Sequence, residues 1–400
     1  MNVLHEPAPA GMPPLIDARL EPIAAKVLAG ERLSVDDGLT LYRSPDIFAL
    51  GALANHVRER RHGRRAFYNV NRHVNYTNYC VLRCKFCSFY RTPDGRSGLT
   101  ELSNTAGYEY SLDEIVETAV QAVGQGATEL HVVGGLHPKL PFSFYTDMCR
   151  AIKARCPQLH LKAFTAIEIV HFTRISKPRL SIEEVLTALQ GAGLDSLPGG
   201  GAEIFDDRVH NEAFKAKVGE RHWFDVHRAA HELGIPSNAT MLYGHVERVE
   251  ERLVHLCKLR EHQDRSLERQ AQRGFGAAFQ CCIPLSFIPD GSALADLPGP
   301  TGLDDLRTLA LSRLMLDNFP HIKAFWIMQT PKLSQVALNW GVDDFDGTVV
   351  WYDITKREGR GTQHQELTRE QIEALIREAG CEPVERDSLY RPVVRAAGVR

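Results

Sequence analysis

From about residue 66 onward, the apolar positions of this 400-residue chain follow two alternating rhythms. Short β-type runs fall at 72–78, 129–134, 160–165, 194–197, 237–242, 278–285, 322–328 and 347–351. Between them, apolar residues recur every three or four positions at 112–122, 144–154, 182–190, 223–233, 250–263 and 303–318, the spacing of amphipathic helices. Strand–helix repetition predicts an α/β fold with a parallel sheet and right-handed crossovers. Eight such strands close a (β/α)8 barrel of TIM type. The run at 194–197 is the weakest strand, so a partial, six-stranded barrel stands as the alternative.

The flanks read differently. Residues 14–63 are helical in pattern, with Ile16, Leu20, Ile23, Val27 and Leu28 at helix spacing and Ser34 placed to cap a second helix. The basic stretch from Arg58 to Arg65 reads as a solvated helix end. In the tail, 368–379 reads as a helix capped by Thr368 and stopped by Gly380. The chain thus divides into an N-terminal helical extension (1–65), a barrel (66–355) and a small C-terminal extension (356–400). Two connections are long. Residues 90–110 are rich in Gly, Ser and Thr and read equally well as a cap over a site or a surface insertion. Residues 286–301 form a second irregular loop.

Composition narrows the class. Hydrophobic residues make up 44% and charged residues 24%, and the formal charge is −3. That balance argues against a general electrostatic grip on nucleic acid or an anionic membrane. No apolar run reaches the ~18 residues of a membrane-spanning helix. Residues 1–14 lack the basic start and apolar core of a secretory signal. The expectation is a cytoplasmic protein with reduced thiols. Its nine cysteines, an odd number, suggest no disulfide framework.

Three of the nine fall together in His73-Val-Asn-Tyr-Thr-Asn-Tyr-Cys80-Val-Leu-Arg-Cys84-Lys-Phe-Cys87. Three thiolates can hold three irons of a cubane cluster and leave the fourth open. A structural zinc site usually takes four protein ligands, and no fourth Cys or His stands at finger-like spacing. The spacing therefore favours an open cluster over zinc and over three buried free thiols. The expected position, after the first strand, is the mouth where barrel enzymes build their sites.

The Cys-x3-Cys-x2-Cys segment resembles the motif of the radical S-adenosylmethionine (SAM) superfamily. The resemblance implies a [4Fe–4S] cluster on Cys80, Cys84 and Cys87, with SAM chelating the open iron through its amino and carboxylate groups. It implies that Phe86 packs on the adenine, that Gly134-Gly135 meets the SAM amino group, and that Gly244, within Met241-Leu-Tyr-Gly-His-Val-Glu247, belongs to a further SAM-contacting segment. Leu136 stands where a Glu is frequent after the glycine pair. Glu203, after Gly199-Gly200-Gly201, is a carboxylate suited to two ribose hydroxyls. One electron from the reduced cluster would cleave SAM to methionine and a 5′-deoxyadenosyl radical.

Longer stretches over about residues 65–355 are similar to the aminofutalosine synthase family of the futalosine route to menaquinone. They include Glu129-Leu-His-Val-Val-Gly-Gly-Leu-His-Pro138, Lys162-Ala-Phe-Thr-Ala-Ile-Glu-Ile169 and Asp195-Ser-Leu-Pro-Gly-Gly-Gly-Ala-Glu-Ile204. The resemblance implies adenosyl transfer to 3-[(1-carboxyvinyl)oxy]benzoate, yielding 6-amino-6-deoxyfutalosine, with SAM consumed. A reductase, flavodoxin or ferredoxin would supply the electron. The sister enzymes, a dehypoxanthine futalosine cyclase and the deazaflavin chromophore subunit, are the enzyme alternatives; a non-enzymatic Fe–S or zinc protein is the alternative from another class. A substrate with two carboxylates calls for donors, and His73, His137, Thr165, Arg208, Tyr243, His245, Ser286 and Gln329 stand near strand ends. Glu168 is a candidate for proton transfer or a structural ion pair. His227 and His231 read as exposed helix histidines, and Cys281 and Cys282 as core.

Overall fold

A computed structural model of the chain describes residues 15–92, 106–349 and 365–395. Most of the 90–110 loop and the end of the expected strand at 347–351 lie outside the described residues. The barrel wall begins at β1 (Arg65–Asn69), which passes through Val70 into β2 (Asn71–Val74). This stave starts seven residues before the run read from sequence. Nearly all of it is buried, so no in-out alternation marks its start. The wall continues through β3 (Glu129–Val132), β4 (His160–Ala163), β5 (Ser237–Tyr243), β6 (Phe279–Ser286), β7 (His321–Ile322) and β8 (Asp344–Gly347).

Every ladder among these strands is parallel: β2–β3–β4, β5–β6–β7 and β8–β1. Single parallel bridges join the three sheets, Lys162 with Ser196, Leu197 with Ser237, and Lys323 with Asp344. The ring therefore closes with eight staves, the fourth reduced to the two residues Ser196 and Leu197. The partial barrel is set aside.

Helices wrap the wall, and their starts follow from capping chemistry. Ser111 with Glu114 opens Leu112–Gly124, and Ser181 with Glu184 opens Ile182–Ala192, each by a reciprocal capping box. The helix Ala166–Ile175 escapes the sequence pattern. Its residues 166–172 are all buried, so it has no polar face to give it a period. The helix Glu220–Glu232 corrects a second expectation, because His227 and His231 are buried rather than exposed. Both rings lie 2.8 Å from the Ser237 hydroxyl, and His231 also reaches Ser266 at 2.9 Å. Burial holds both well below the usual histidine range. Cys281 and Cys282 are buried in β6.

The basic stretch at the end of helix Ile47–His62 is mostly exposed, as expected, at Arg60, Arg61, Arg64 and Arg65, but it is also tied down. Arg58 is buried against Asn55 and Cys381, Arg61 reaches the Asp317 carbonyl, and Arg64 donates to the Gly380 carbonyl. These contacts tie the N-terminal helices to the tail. There, the helix Arg369–Glu378 leads into β9 (Glu382–Glu385), which runs parallel to β1 with Arg65 opposite Glu382 and Tyr68 opposite Glu385. Arg386 then enters the N-terminal end of the barrel and donates to Asp344 at 2.8 Å. Tyr390 donates to the same carboxylate at 2.6 Å and stacks on His321 at 3.6 Å. The tail is thus the plug of the barrel floor.

Removing one partner of a fully buried ion pair costs about 3–5 kcal/mol. Arg386→Met should lower stability by about that amount, read as a lower urea midpoint. A midpoint equal to the parent's would show that the plug does not hold the floor.

Candidate active site

The C-terminal ends of the staves surround a cavity of about 300 Å³. Its wall holds Cys80, Cys84 and Cys87, all three free. The loop that carries them is fixed by backbone bonds: Cys80 N–H to the Arg91 carbonyl at 2.9 Å, Val81 to Leu136 at 3.0 Å and Lys85 to Ala213 at 2.8 Å. The Cys80 sulfur accepts N–H groups from Leu82 at 3.4 Å and Leu136 at 3.3 Å. Burial pushes the Cys80 thiol up to about 11 and the Cys84 thiol up to about 12, and it raises Cys87 as well. Bare thiolates would be costly there; bound iron, which displaces the thiol proton, removes that cost.

The donor set suits a cluster better than a single ion. Sulfurs around one tetrahedral zinc stand about 3.8 Å apart, as the ~2.3 Å Zn–S bond requires. Among the described residues, His62, His321 and Asp343 bring three ligand atoms within 4.8 Å, and the three cysteines do not. The His62 trio is no better a metal site, since the Arg313 guanidinium already occupies Asp343. Spread thiols on one wall, with N–H donors to sulfur, fit a multi-iron group.

Other expected SAM-binding residues meet at the same cavity. Phe86, Gly134, Gly135 and Glu203 line it. A Cβ on Gly135 would come within 2.3 Å of the Tyr79 carbonyl oxygen, so only glycine lets this turn pass the cysteine loop. Glu203 is buried, and its carboxylate meets the Lys217 ammonium. Gly244 and His245 are not brought to the cavity. Gly244 has φ +88° and abuts Pro300, while His245 turns back to the Leu242 carbonyl at 3.0 Å and to Glu247.

Of the candidate carboxylate donors, His73 and Thr165 line the cavity. Tyr243, Ser286 and Gln329 instead bond to one another, with Asp305 accepting from Tyr243 at 2.6 Å and Ser286 at 2.7 Å. Arg208 is held by Glu251 and Glu212, and His137 by Glu109. Glu168 also lines the cavity. It accepts from the Tyr76 hydroxyl at 2.8 Å, Gly134 N–H at 3.2 Å and Thr165 N–H at 2.7 Å. Burial pushes Glu168 up to about 7, against the pull of these donors.

Deeper in the barrel lies a polar floor that the sequence reading missed. Lys162 pairs with Glu129 at 2.6 Å, and Lys323 with Asp346 at 2.6 Å. His131 stacks on His73 at 4.4 Å, and burial lowers His73 to about 4. Asn238 and Thr240 complete this end, while Ile283, Leu285 and Phe325 form apolar wall above it. A signal was present. In fully buried parallel strands, which are ordinarily apolar throughout, Glu129 and His131, Asn238 and Thr240, and Asp344 and Asp346 are polar at every second position.

A parallel barrel with an open cysteine cluster at the C-terminal mouth defines an iron–sulfur barrel enzyme of the radical SAM type. The chain belongs to the radical SAM superfamily, whose model matches residues 74–259, and within it to the branch marked by the CofH/MqnC C-terminal region, which matches 276–397. The second match takes the likeness through the tail, beyond the 65–355 read from sequence. The chain is 47% identical to aminodeoxyfutalosine synthase of Thermus thermophilus over 94% of its length and 96% of that protein. It is 42% identical to aminodeoxyfutalosine synthase of Streptomyces coelicolor (91% and 92% covered) and 34% identical to cyclic dehypoxanthine futalosine synthase of the same organism (94% and 90%). Among solved structures, methylornithine synthase matches with a TM-score of 0.69 at 16% identity, covering 90% of this chain and 97% of that one. That likeness shows the fold. No helix among the described residues is long and apolar enough to cross a membrane.

Neutral Glu168 favours the folded state, because an unfolded Glu ionises near 4.5 and the folded one near 7. The stability it adds is full below pH 4.5 and is lost as pH rises through about 7. Glu168→Gln should therefore flatten the fall in urea midpoint between pH 5 and pH 8. An undiminished fall would show that Glu168 is ionised throughout.

Proposed function

We propose that this enzyme joins the 5′-deoxyadenosyl group of SAM to 3-[(1-carboxyvinyl)oxy]benzoate, forming 6-amino-6-deoxyfutalosine for menaquinone synthesis. The gap in identity carries this reading: 47% and 42% to the two aminodeoxyfutalosine synthases, against 34% and 33% to two cyclic dehypoxanthine futalosine synthases. Cys80, Cys84 and Cys87 would hold a [4Fe–4S] cluster, which supplies one electron to cleave SAM, itself received from a cytoplasmic reductase, flavodoxin or ferredoxin.

The chain's own residues bind and orient. Phe86 and the glycine pair offer a face and a close backbone approach for SAM, and Glu203 offers acceptors to its ribose. The apolar wall of Ile283, Leu285 and Phe325 suits an aromatic ring. Below it, the Lys162 and Lys323 ammonium groups, each with donors beyond the one its carboxylate takes, suit the substrate's carboxylate. Glu168, raised by burial to about 7 and beside the glycine pair, can hold or yield a proton at its carboxyl oxygen near neutral pH.

Two experiments test this. Reconstituted anaerobically and reduced, the enzyme should convert SAM and the enol-ether benzoate into one product carrying both adenosyl and benzoate masses, and Cys84→Ala should make none. Release of 5′-deoxyadenosine alone, with or without that substrate, would redirect the reading to the sister enzymes. The paired replacement Lys162→Met with Glu129→Gln removes one of the two floor ion pairs without stranding a partner. It should raise KM for the benzoate about tenfold to a hundredfold, as the loss of a charged hydrogen bond implies, and leave KM for SAM unchanged. Equal KM values for the benzoate would take Lys162 out of the substrate site.

A further inference from the structure

Asn238 has no part in the functions assigned above. It lies on β5 with Thr240 and Leu242, at alternate positions that all face the cavity, and only 3% of it is exposed. Its backbone is fixed. The Asn238 N–H reaches the Leu197 carbonyl at 3.2 Å, and a Cβ on Gly199 would come within 2.8 Å of the Asn238 carbonyl carbon. Its side chain is not fixed in this way: among the described residues, the Asn238 Oδ1 atom has no hydrogen-bond partner. The polar groups around it are satisfied within the protein. Thr240 donates to the Gly199 carbonyl at 2.8 Å, and the floor ammonium groups of Lys162 and Lys323 meet Glu129 and Asp346.

A buried amide oxygen without a partner costs free energy, so one kept in a cavity wall calls for a partner from outside the fold. No bond to that oxygen fixes which end of the planar amide faces the cavity, and its NH2 group can turn to an acceptor. Two cations flank it. Lys162 on β4 and Lys323 just past β7 each stand two staves away, on opposite sides. An amide NH2 between two ammonium groups suits a carboxylate.

Depth decides which carboxylate that is. Glu129 and Gly134 lie five residues apart on one stave, about 16 Å at the rise of an extended strand. Gly135, next along, packs on Cys80. The floor and the cysteine end are therefore separate levels, with Ile283, Leu285 and Phe325 between them. In the proposed substrate, one carboxylate sits on the double bond that takes up the adenosyl group. The other lies across the ether oxygen and the ring. With the double bond held at the cysteine end beside SAM, the ring carboxylate is the one that reaches down to the floor.

We propose that Asn238 is a substrate-binding residue whose amide donates to the ring carboxylate of the enol-ether benzoate, so that the ring points down the barrel and the enol ether up. This rests on the substrate reading given above. Asn238 thereby selects for an aromatic acid with a carboxylate at the end remote from the reacting double bond.

The test is calorimetric binding to the reconstituted full-length enzyme with SAM and without reductant, so that nothing turns over. Three ligands are compared: the full substrate, 3-(vinyloxy)benzoate, which lacks the enol carboxylate, and 2-phenoxyacrylate, which lacks the ring carboxylate. Asn238→Leu should weaken the first two about tenfold, as the loss of a hydrogen bond to a charged group implies. It should leave 2-phenoxyacrylate unchanged. Asn238→Ala, which removes the amide without adding bulk, should repeat the pattern if the leucine variant does not fold. Equal losses on all three ligands, or no loss on any, would take Asn238 out of the ring-carboxylate site. A loss on the full substrate and 2-phenoxyacrylate alone would overturn the orientation by placing the enol carboxylate at Asn238. A parent enzyme that binds none of the three would instead overturn the substrate reading beneath the proposal.

Discussion

The centre of this barrel is charged, and the structure depends on those charges meeting their partners. Glu129 with Lys162, Lys323 with Asp346 and Arg386 with Asp344 are buried pairs. An unpaired charge in such a place costs several kcal/mol, so each strand must hold its register for its neighbour's sake. Glu129 on β3 reaches Lys162 on β4 because the parallel ladder sets Glu129 opposite His160, two residues away on the same inward face. Lys323 and Asp346 meet across the single bridge that joins β7 to β8. The pairs that fill the barrel therefore also fasten its joints, and the tail belongs to the fold because Arg386 completes one of them.

The same economy shapes the cavity. One end carries three thiols on a loop fixed by backbone bonds, and the other carries ammonium groups held by carboxylates. Between them lies apolar wall. A ligand spanning this space meets a thiol-lined end, an apolar middle and an ionic floor. The close approach of Gly135 to the Tyr79 carbonyl joins the second barrel loop to the first. The Lys217–Glu203 pair joins the fourth to the same cluster wall. Reactive groups drawn from several staves are thereby set on rigid elements, as barrel enzymes require.

The relatives share this frame and differ in what they are named for. Aminodeoxyfutalosine synthases, cyclic dehypoxanthine futalosine synthases and the hydroxyphenyl transferases all align over most of the chain. Fold alone therefore does not fix the substrate. Much of the frame was legible in the sequence. The strand–helix alternation, the Cys80–Cys87 spacing and the glycine pair are local patterns, and local patterns survive in a linear reading. The misreadings have one cause. His227, His231 and Arg58 look like surface residues, and the helix at 166–175 looks like no helix, because burial by another part of the chain leaves no local mark.

The sequence by itself determined that this is a parallel α/β chain with an open three-cysteine cluster motif and a superfamily to match. Those facts reside in spacing, and spacing follows from the geometry of strands, helices and metal ligands. Only the tertiary structure decided which polar residues face the cavity. It brought Glu168, Lys162, Lys323 and Lys217 inward, sent His245 and Gly244 away, and made Tyr243, Ser286 and Gln329 partners of one another. A side chain's surroundings are set by staves distant in sequence, and ring closure is what brings those staves side by side.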